Sequence, residues 1–60
     1  MKKYNVRILS KENFEILVDC ELIAKDENEA VQKTYNYFKY TLYSLTKGEI
    51  ENTITNVNEI

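Results

Sequence analysis

Apolar residues recur at every second position near the start of the chain and at every third or fourth position from about Ala30 onward. Tyr4, Val6 and Ile8 alternate with Lys3, Asn5 and Arg7, which predicts a half-buried strand over about residues 3 to 10. A second alternating run places Phe14, Ile16, Val18, Cys20 and Leu22 on one strand face and Glu15, Leu17, Asp19, Glu21 and Ile23 on the other. Between the runs lies Ser10-Lys11-Glu12-Asn13, where Asn13 tolerates the left-handed backbone that closes a three-residue hairpin loop with a bulge. That loop sets Ile8 opposite Ile16 and Lys3 opposite Glu21.

The period changes at Ala24-Lys25-Asp26-Glu27-Asn28-Glu29-Ala30. Asp26 has the character of a helix N-cap, Glu29 stands three residues on to complete a reciprocal pair, and Glu27 and Glu29 complement the positive helix end. At 100° per residue, Val31, Thr34, Tyr35, Phe38, Leu42 and Leu45 form one stripe, margined by Ala30 and Thr41. The lone glycine, Gly48, follows Thr46-Lys47 as a left-handed C-cap would, so one helix is predicted over about residues 27 to 47. Beyond it, residues 49 to 57 read as a third strand with Ile50 and Ile54 toward the helix and Val57 outward unless a bulge shifts the parity. A right-handed crossover then makes the third strand parallel to the second and antiparallel to the first. The expected architecture is a single α+β domain over residues 1–60, β-β-α-β, with a three-stranded antiparallel sheet of order 2-1-3 and one helix on one face.

Size sharpens this picture. Sixty residues, 43% apolar and 30% charged, have globular composition, yet a core of this size seldom supplies more than about 3–5 kcal/mol. Small domains add disulfides, a metal or a second subunit. Cys20 is alone and histidine is absent, so neither an internal disulfide nor a histidine-containing zinc site is available. Self-association as a homodimer, or a partner, is left as reinforcement. Net charge is −2, which provides no basic field toward nucleic acid or anionic membranes. The absence of a signal-like or membrane-length apolar run leads to a cytoplasmic expectation with no membrane association. Abundant Asn, Lys, Ile, Tyr and Phe, encoded by A/T-rich codons, suggest a low-GC bacterium, its plasmid or its phage.

Catalytic chemistry has little to build on. Without histidine, acid-base work would fall to carboxylates or tyrosines with strongly shifted pKa values. Asp19 with Glu21, and Glu49 with Glu51, share strand faces but have no cleft to hold them. Cys20 lies in register with Phe14, Ile16, Val18 and Leu22, the setting of a small buried hydrophobe and not of an activated thiol. One glycine cannot make a phosphate-cradling loop. The expectation is a non-enzymatic protein with no catalytic, metal or cofactor site.

Two surfaces are candidates for partner binding. Tyr40 and Tyr43 fall opposite the packed helix stripe, beside Asn36 and near Lys33 and Lys47, while Tyr35 lies within the stripe and Tyr37 at its flank. Exposed tyrosines suit protein interfaces and also stack on nucleobases. The other candidate is the uncovered sheet face bearing Leu9, Leu17 and Ile23, a patch that a homodimer or an added strand would bury. Asp19, Glu21, Asp26, Glu27 and Glu29 form an acidic zone that could imitate a phosphate backbone, although three of them already serve the helix start.

The opening Met1-Lys2-Lys3-Tyr4-Asn5-Val6-Arg7-Ile8, the alternating strand after it and Ala24-Lys25-Asp26-Glu27-Asn28-Glu29-Ala30 resemble the small DpnD/PcfM-like proteins of low-GC bacteria and their mobile elements. The resemblance covers the first two thirds of the chain. It implies a small accessory protein of similar fold and carries no site residues. The functional expectation is therefore a phage- or mobile-element-type module that occupies a surface of a host protein, inhibition of a defence or regulatory factor being one such role. The alternative is a small nucleic-acid-binding protein using the helix tyrosines and lysines, which the acidic net charge disfavours.

Overall fold

Tyr4, Val6 and Ile8 become the centre of the protein, each at most 3% exposed. They lie on the middle strand. The computed structural model describes all 60 residues, in the order β1 (Lys2–Ser10), β2 (Ile16–Ala24), α1 (Glu27–Tyr37), α2 (Lys39–Leu45) and β3 (Thr53–Glu59). Strand order is β2-β1-β3, and β1 is antiparallel to both neighbours. The two edge strands, β2 and β3, are thus parallel to each other, as the crossover argument requires. Val18, Ala24, Ala30, Thr34 and Leu42 complete the buried set.

The β1–β2 register differs from expectation. Ile8 faces Val18 and Lys3 faces Ile23. The left-handed residue is Phe14, with φ 58°, and not Asn13. Phe14 N–H bonds Ser10 O at 2.8 Å and Ser10 N–H bonds Glu15 O at 2.8 Å, so the loop is longer than three residues. Asn13 contributes through its side chain, which accepts from Glu15 N–H at 3.1 Å. A bulge follows, because one step from Ile8 to Leu9 is matched by two from Val18 to Ile16. The extra residue, Leu17, is partly buried against the core. Phe14 and Ile16, expected inside, are 66% and 53% exposed.

Asp26 caps α1 as expected, its Oδ1 accepting from Glu29 N–H at 2.8 Å. Glu29 reaches back to Lys25 N–H at 3.0 Å, one residue before the cap itself. The single expected helix is two. Phe38 N–H bonds Thr34 O at 3.0 Å and Leu42 N–H bonds Phe38 O at 2.8 Å, but Phe38 itself leaves the helical backbone, at φ −101° and ψ 19°, so α1 ends at Tyr37 and α2 begins at Lys39. The break falls in Thr34-Tyr35-Asn36-Tyr37-Phe38-Lys39-Tyr40-Thr41, a stretch of aromatic and β-branched residues of mediocre helix propensity. Thr34 also bonds back to Ala30 O at 2.8 Å, a contact that bends helices. With α2 re-aimed, Leu42 is fully buried while Leu45, expected beside it, is 53% exposed. Cys20, Leu22 and Phe38 pack against the core only partly buried, and Val31 is likewise half-buried.

The end of α2 is a Schellman turn. Gly48 N–H bonds Tyr43 O at 2.8 Å and Lys47 N–H bonds Ser44 O at 3.3 Å around the cap residue Thr46. Lys47 takes the left-handed position that Gly48 was expected to fill, with φ 54°, and Gly48 follows at φ 88°. Residues 49 to 52, expected to begin the third strand, continue as a turn closed by Asn52 N–H to Glu49 O at 2.9 Å. The strand parity is the reverse of that expected for its isoleucine and valine. Val57 lies opposite Val6 and packs on the core, whereas Ile54 lies opposite Leu9 on the open face. Tyr35 reaches over β3 with its hydroxyl 3.0 Å from Thr53 Oγ1 and 2.8 Å from Thr55 Oγ1.

Candidate functional site

With both helices on one side, the other side of the sheet carries cross-strand rows. Ile16, Leu9 and Ile54 form one apolar row; Asp19, Arg7 and Asn56 form the next, Glu21, Asn5 and Asn58 another, and Ile23 with Lys3 the last. Its middle is polar and internally paired. Asp19 accepts from Asn5 Nδ2 at 2.8 Å and from Arg7 Nε at 3.2 Å, while Lys3 Nζ stands 3.3 Å from Glu21. The Asn5 hydrogen bond first, then the Arg7 charge, holds the Asp19 carboxyl below the usual carboxylate range.

The expected apolar patch on this face is therefore not assembled. Leu9 belongs to the row at the hairpin end, Ile23 sits three rows away, and the bulge turns Leu17 toward the core. Nor do the helix candidates converge. Tyr40 stands 84% exposed on α2; the Tyr43 ring lies about 3.5 Å from where a side chain on Gly48 would begin. Lys47 borders a crevice of about 270 Å³ beside the hairpin loop, with Ser10, Glu12 and Asn13. Asn36 lies elsewhere, on a larger depression.

That depression is a groove of about 710 Å³ between edge strand β2 and the point where α1 gives way to α2. Cys20, Leu22 and Phe38 give it apolar walls, Tyr37 and Asn36 line it on the helix side, and Ile23 and Lys33 lie toward one end. Tyr37 is 83% exposed and packs edge-on against Phe38, ring centres 4.9 Å apart. Cys20 Sγ is 3.7 Å from Thr34 Oγ1 and partly buried.

The β2 edge beside this groove is unpaired. Ile60 N–H to Lys3 O at 2.8 Å and Lys11 N–H to Asn52 O at 3.1 Å show that odd-numbered β1 residues bond toward β3 and even-numbered ones toward β2. Hence Asp19, Glu21 and Ile23 direct their backbone groups outward. Of these, Ile23 O accepts from Lys33 Nζ at 3.3 Å. Lys33 is itself held by Glu29 at 3.2 Å, and Glu29 titrates below its ordinary range because of the Lys25 backbone bond and the Lys33 ammonium.

Sequence periodicity places Tyr37 only at the flank of a straight helix and so misses the groove. The available signal was the low-propensity aromatic run at residues 34–41, which marks the bend that opens it. No three His, Cys, Asp or Glu side chains gather as a metal-ligand set, and no helix is long and apolar enough to cross a membrane. The chain matches no known protein family, and neither curated proteins nor solved structures show a significant similarity to it.

Proposed function

We propose that this protein is a small non-enzymatic binding module that engages another protein through the groove between β2 and the α1–α2 bend. The carrying observation is the pairing of an unpaired strand edge with an adjacent apolar groove. An extended segment of a partner can add to such an edge by main-chain hydrogen bonds while alternate side chains enter the groove. Side chains of the opposite parity would lie on the open face next to Asp19 and Glu21, favouring Lys or Arg there. Tyr37 is the anchor: an exposed aromatic with an apolar body costs little conformational entropy to immobilise. An accessory role that blocks a surface of a host protein is consistent with this mode. Nucleic acid is the second reading, resting on exposed Tyr40 and on Lys39 and Lys47.

The test is a capture from a low-GC bacterial lysate with wild type, Tyr37→Ala and Tyr40→Ala as baits, followed by amide-shift mapping with the captured partner. Shifts centred on residues 19–23 and 36–38, with affinity reduced at least tenfold by Tyr37→Ala alone, support the groove. A footprint on Tyr40 and Lys39, or binding to single-stranded nucleic acid abolished by Tyr40→Ala, overturns it.

A further inference from the structure

We infer that β3 is a self-association edge, pairing antiparallel with β3 of a second copy to make one continuous six-stranded sheet. The two edges of this sheet differ in how far they discourage pairing with a second copy of themselves: the acidic β2 edge opposes another β2 while admitting a segment that brings Lys or Arg, and β3 has no such bar. Natural edge strands discourage pairing with charges, prolines or bulges. On β2, the central positions carry Asp19 and Glu21, one end is bulged, and Lys33 occupies the Ile23 carbonyl. Two β2 strands paired in full antiparallel overlap would set Asp19 of each against Glu21 of the other, a like-charge contact. β3 has none of these devices. Its sequence Thr53-Ile54-Thr55-Asn56-Val57-Asn58-Glu59 lacks proline and glycine, is rich in β-branched residues, and has a single charge at its end. That charge pairs with Lys2, whose Nζ lies 3.6 Å from Glu59 Oε1, as Asp19 and Glu21 pair with Arg7 and Lys3; what separates the edges is position, Glu59 standing at the end of its strand and Asp19 and Glu21 at the centre of theirs.

The backbone parity suits the pairing. Even-numbered β3 residues face odd-numbered β1 residues and bond to them, so Thr53, Thr55, Val57 and Glu59 direct N–H and C=O outward. A two-fold axis at Asn56 overlaps the full strand and pairs Thr55 with Val57 of the second copy, and Thr53 with Glu59, through those outward groups. Asn56 then meets Asn56 across the axis on the open face, where amide can bond amide. No like charges oppose each other in this register. Val57, only half-buried in one copy, gains a Thr55 methyl beside it. The pairing also supplies what the domain lacks, since only eight of its 60 residues are buried and chains of this size commonly need such reinforcement.

This surface is on the opposite edge from the β2 groove, so the two readings succeed or fail separately. Light scattering and sedimentation across micromolar to millimolar protein should give a dimer mass for wild type. Hydrogen exchange should show the Thr55 and Val57 amides protected although they face away from β1. Asn56→Glu, which gains Arg7 as neighbour within one copy but opposes two carboxylates across the axis, should shift dissociation at least tenfold toward monomer with the circular-dichroism spectrum retained. A strict monomer at millimolar concentration overturns the inference. So does a dimer in which Thr55 and Val57 amides exchange freely, or one insensitive to Asn56→Glu.

Discussion

Lys47 and Phe14 are the two non-glycine residues held at positive φ, 54° and 58°. The left-handed region costs an L-residue with a side chain roughly 1 kcal/mol, because Cβ crowds the following carbonyl. Lys47 accepts this because the Schellman hydrogen bonds to Tyr43 and Ser44 require it, and glycine, which would fit there freely, stands one place later. Lys47→Gly should therefore raise stability by about 0.5–1 kcal/mol, measured by urea unfolding. Two surface carboxylates, Asp19 exposed and Glu29 half-buried, add a pH dependence at the same scale. Asp19 and Glu29 both titrate below their ordinary values, Asp19 through Asn5 and Arg7 and Glu29 through Lys25 and Lys33. A lowered folded pKa contributes stability that is complete above the unfolded value and lost as pH falls through the folded one. Melting temperature should thus be flat from neutrality to about pH 5 and decline below about pH 4. Asp19→Asn should flatten part of that decline, and a carbon-detected titration should place both midpoints below free-peptide values.

Among the elements, the bend at Phe38 has the widest consequences. It interrupts the helix between α1 and α2, sends Leu42 into the core and leaves Leu45 at the surface. A straight helix would make the two leucines equivalent. Leu42→Ala should cost about 2–5 kcal/mol, enough to leave most of the chain unfolded, whereas Leu45→Ala should cost less than about 1 kcal/mol. Calorimetry or denaturant titration of the pair checks the bend directly; equal losses would restore the straight helix. The start of α1 is separable from this. Asp26→Ala removes the bond to Glu29 N–H and should cost about 1 kcal/mol without altering α2.

For the whole molecule, few buried side chains and two unpaired edges lead to the same expectation. If copies pair through β3, the unfolding midpoint must rise with protein concentration, since association favours only the folded form. A tenfold dilution should lower it measurably in wild type and leave it unchanged in Asn56→Glu. Net charge sets a further limit. At −2, with Lys33 committed to Glu29 and Ile23, the chain presents no run of free cations aligned to phosphates. Binding to single- or double-stranded nucleic acid at physiological salt should be undetectable by fluorescence anisotropy.

Local signals were enough for the strands' existence, the sheet order and the helix start. Alternation identifies β1 and β2 because a strand has one side chain per face per two residues, and Asp26 with Glu29 identifies the cap because the interaction spans three residues. Those forces act within a few positions of chain. Parity and register were decided at longer range. The left-handed residue moved from Asn13 to Phe14, and a bulge at Leu17 was needed to keep Val18 opposite Ile8. On β3, the same sequence could turn either Ile54 or Val57 inward; contact with Val6 and the Tyr35 bonds to Thr53 and Thr55 selected Val57. The groove beside β2 exists for a comparable reason. A helical stripe tells which side chains point together while the helix stays straight; the weak run at residues 34–41 permits a bend, and packing of Leu42 against the sheet set its direction, leaving Tyr37 above an open strand edge.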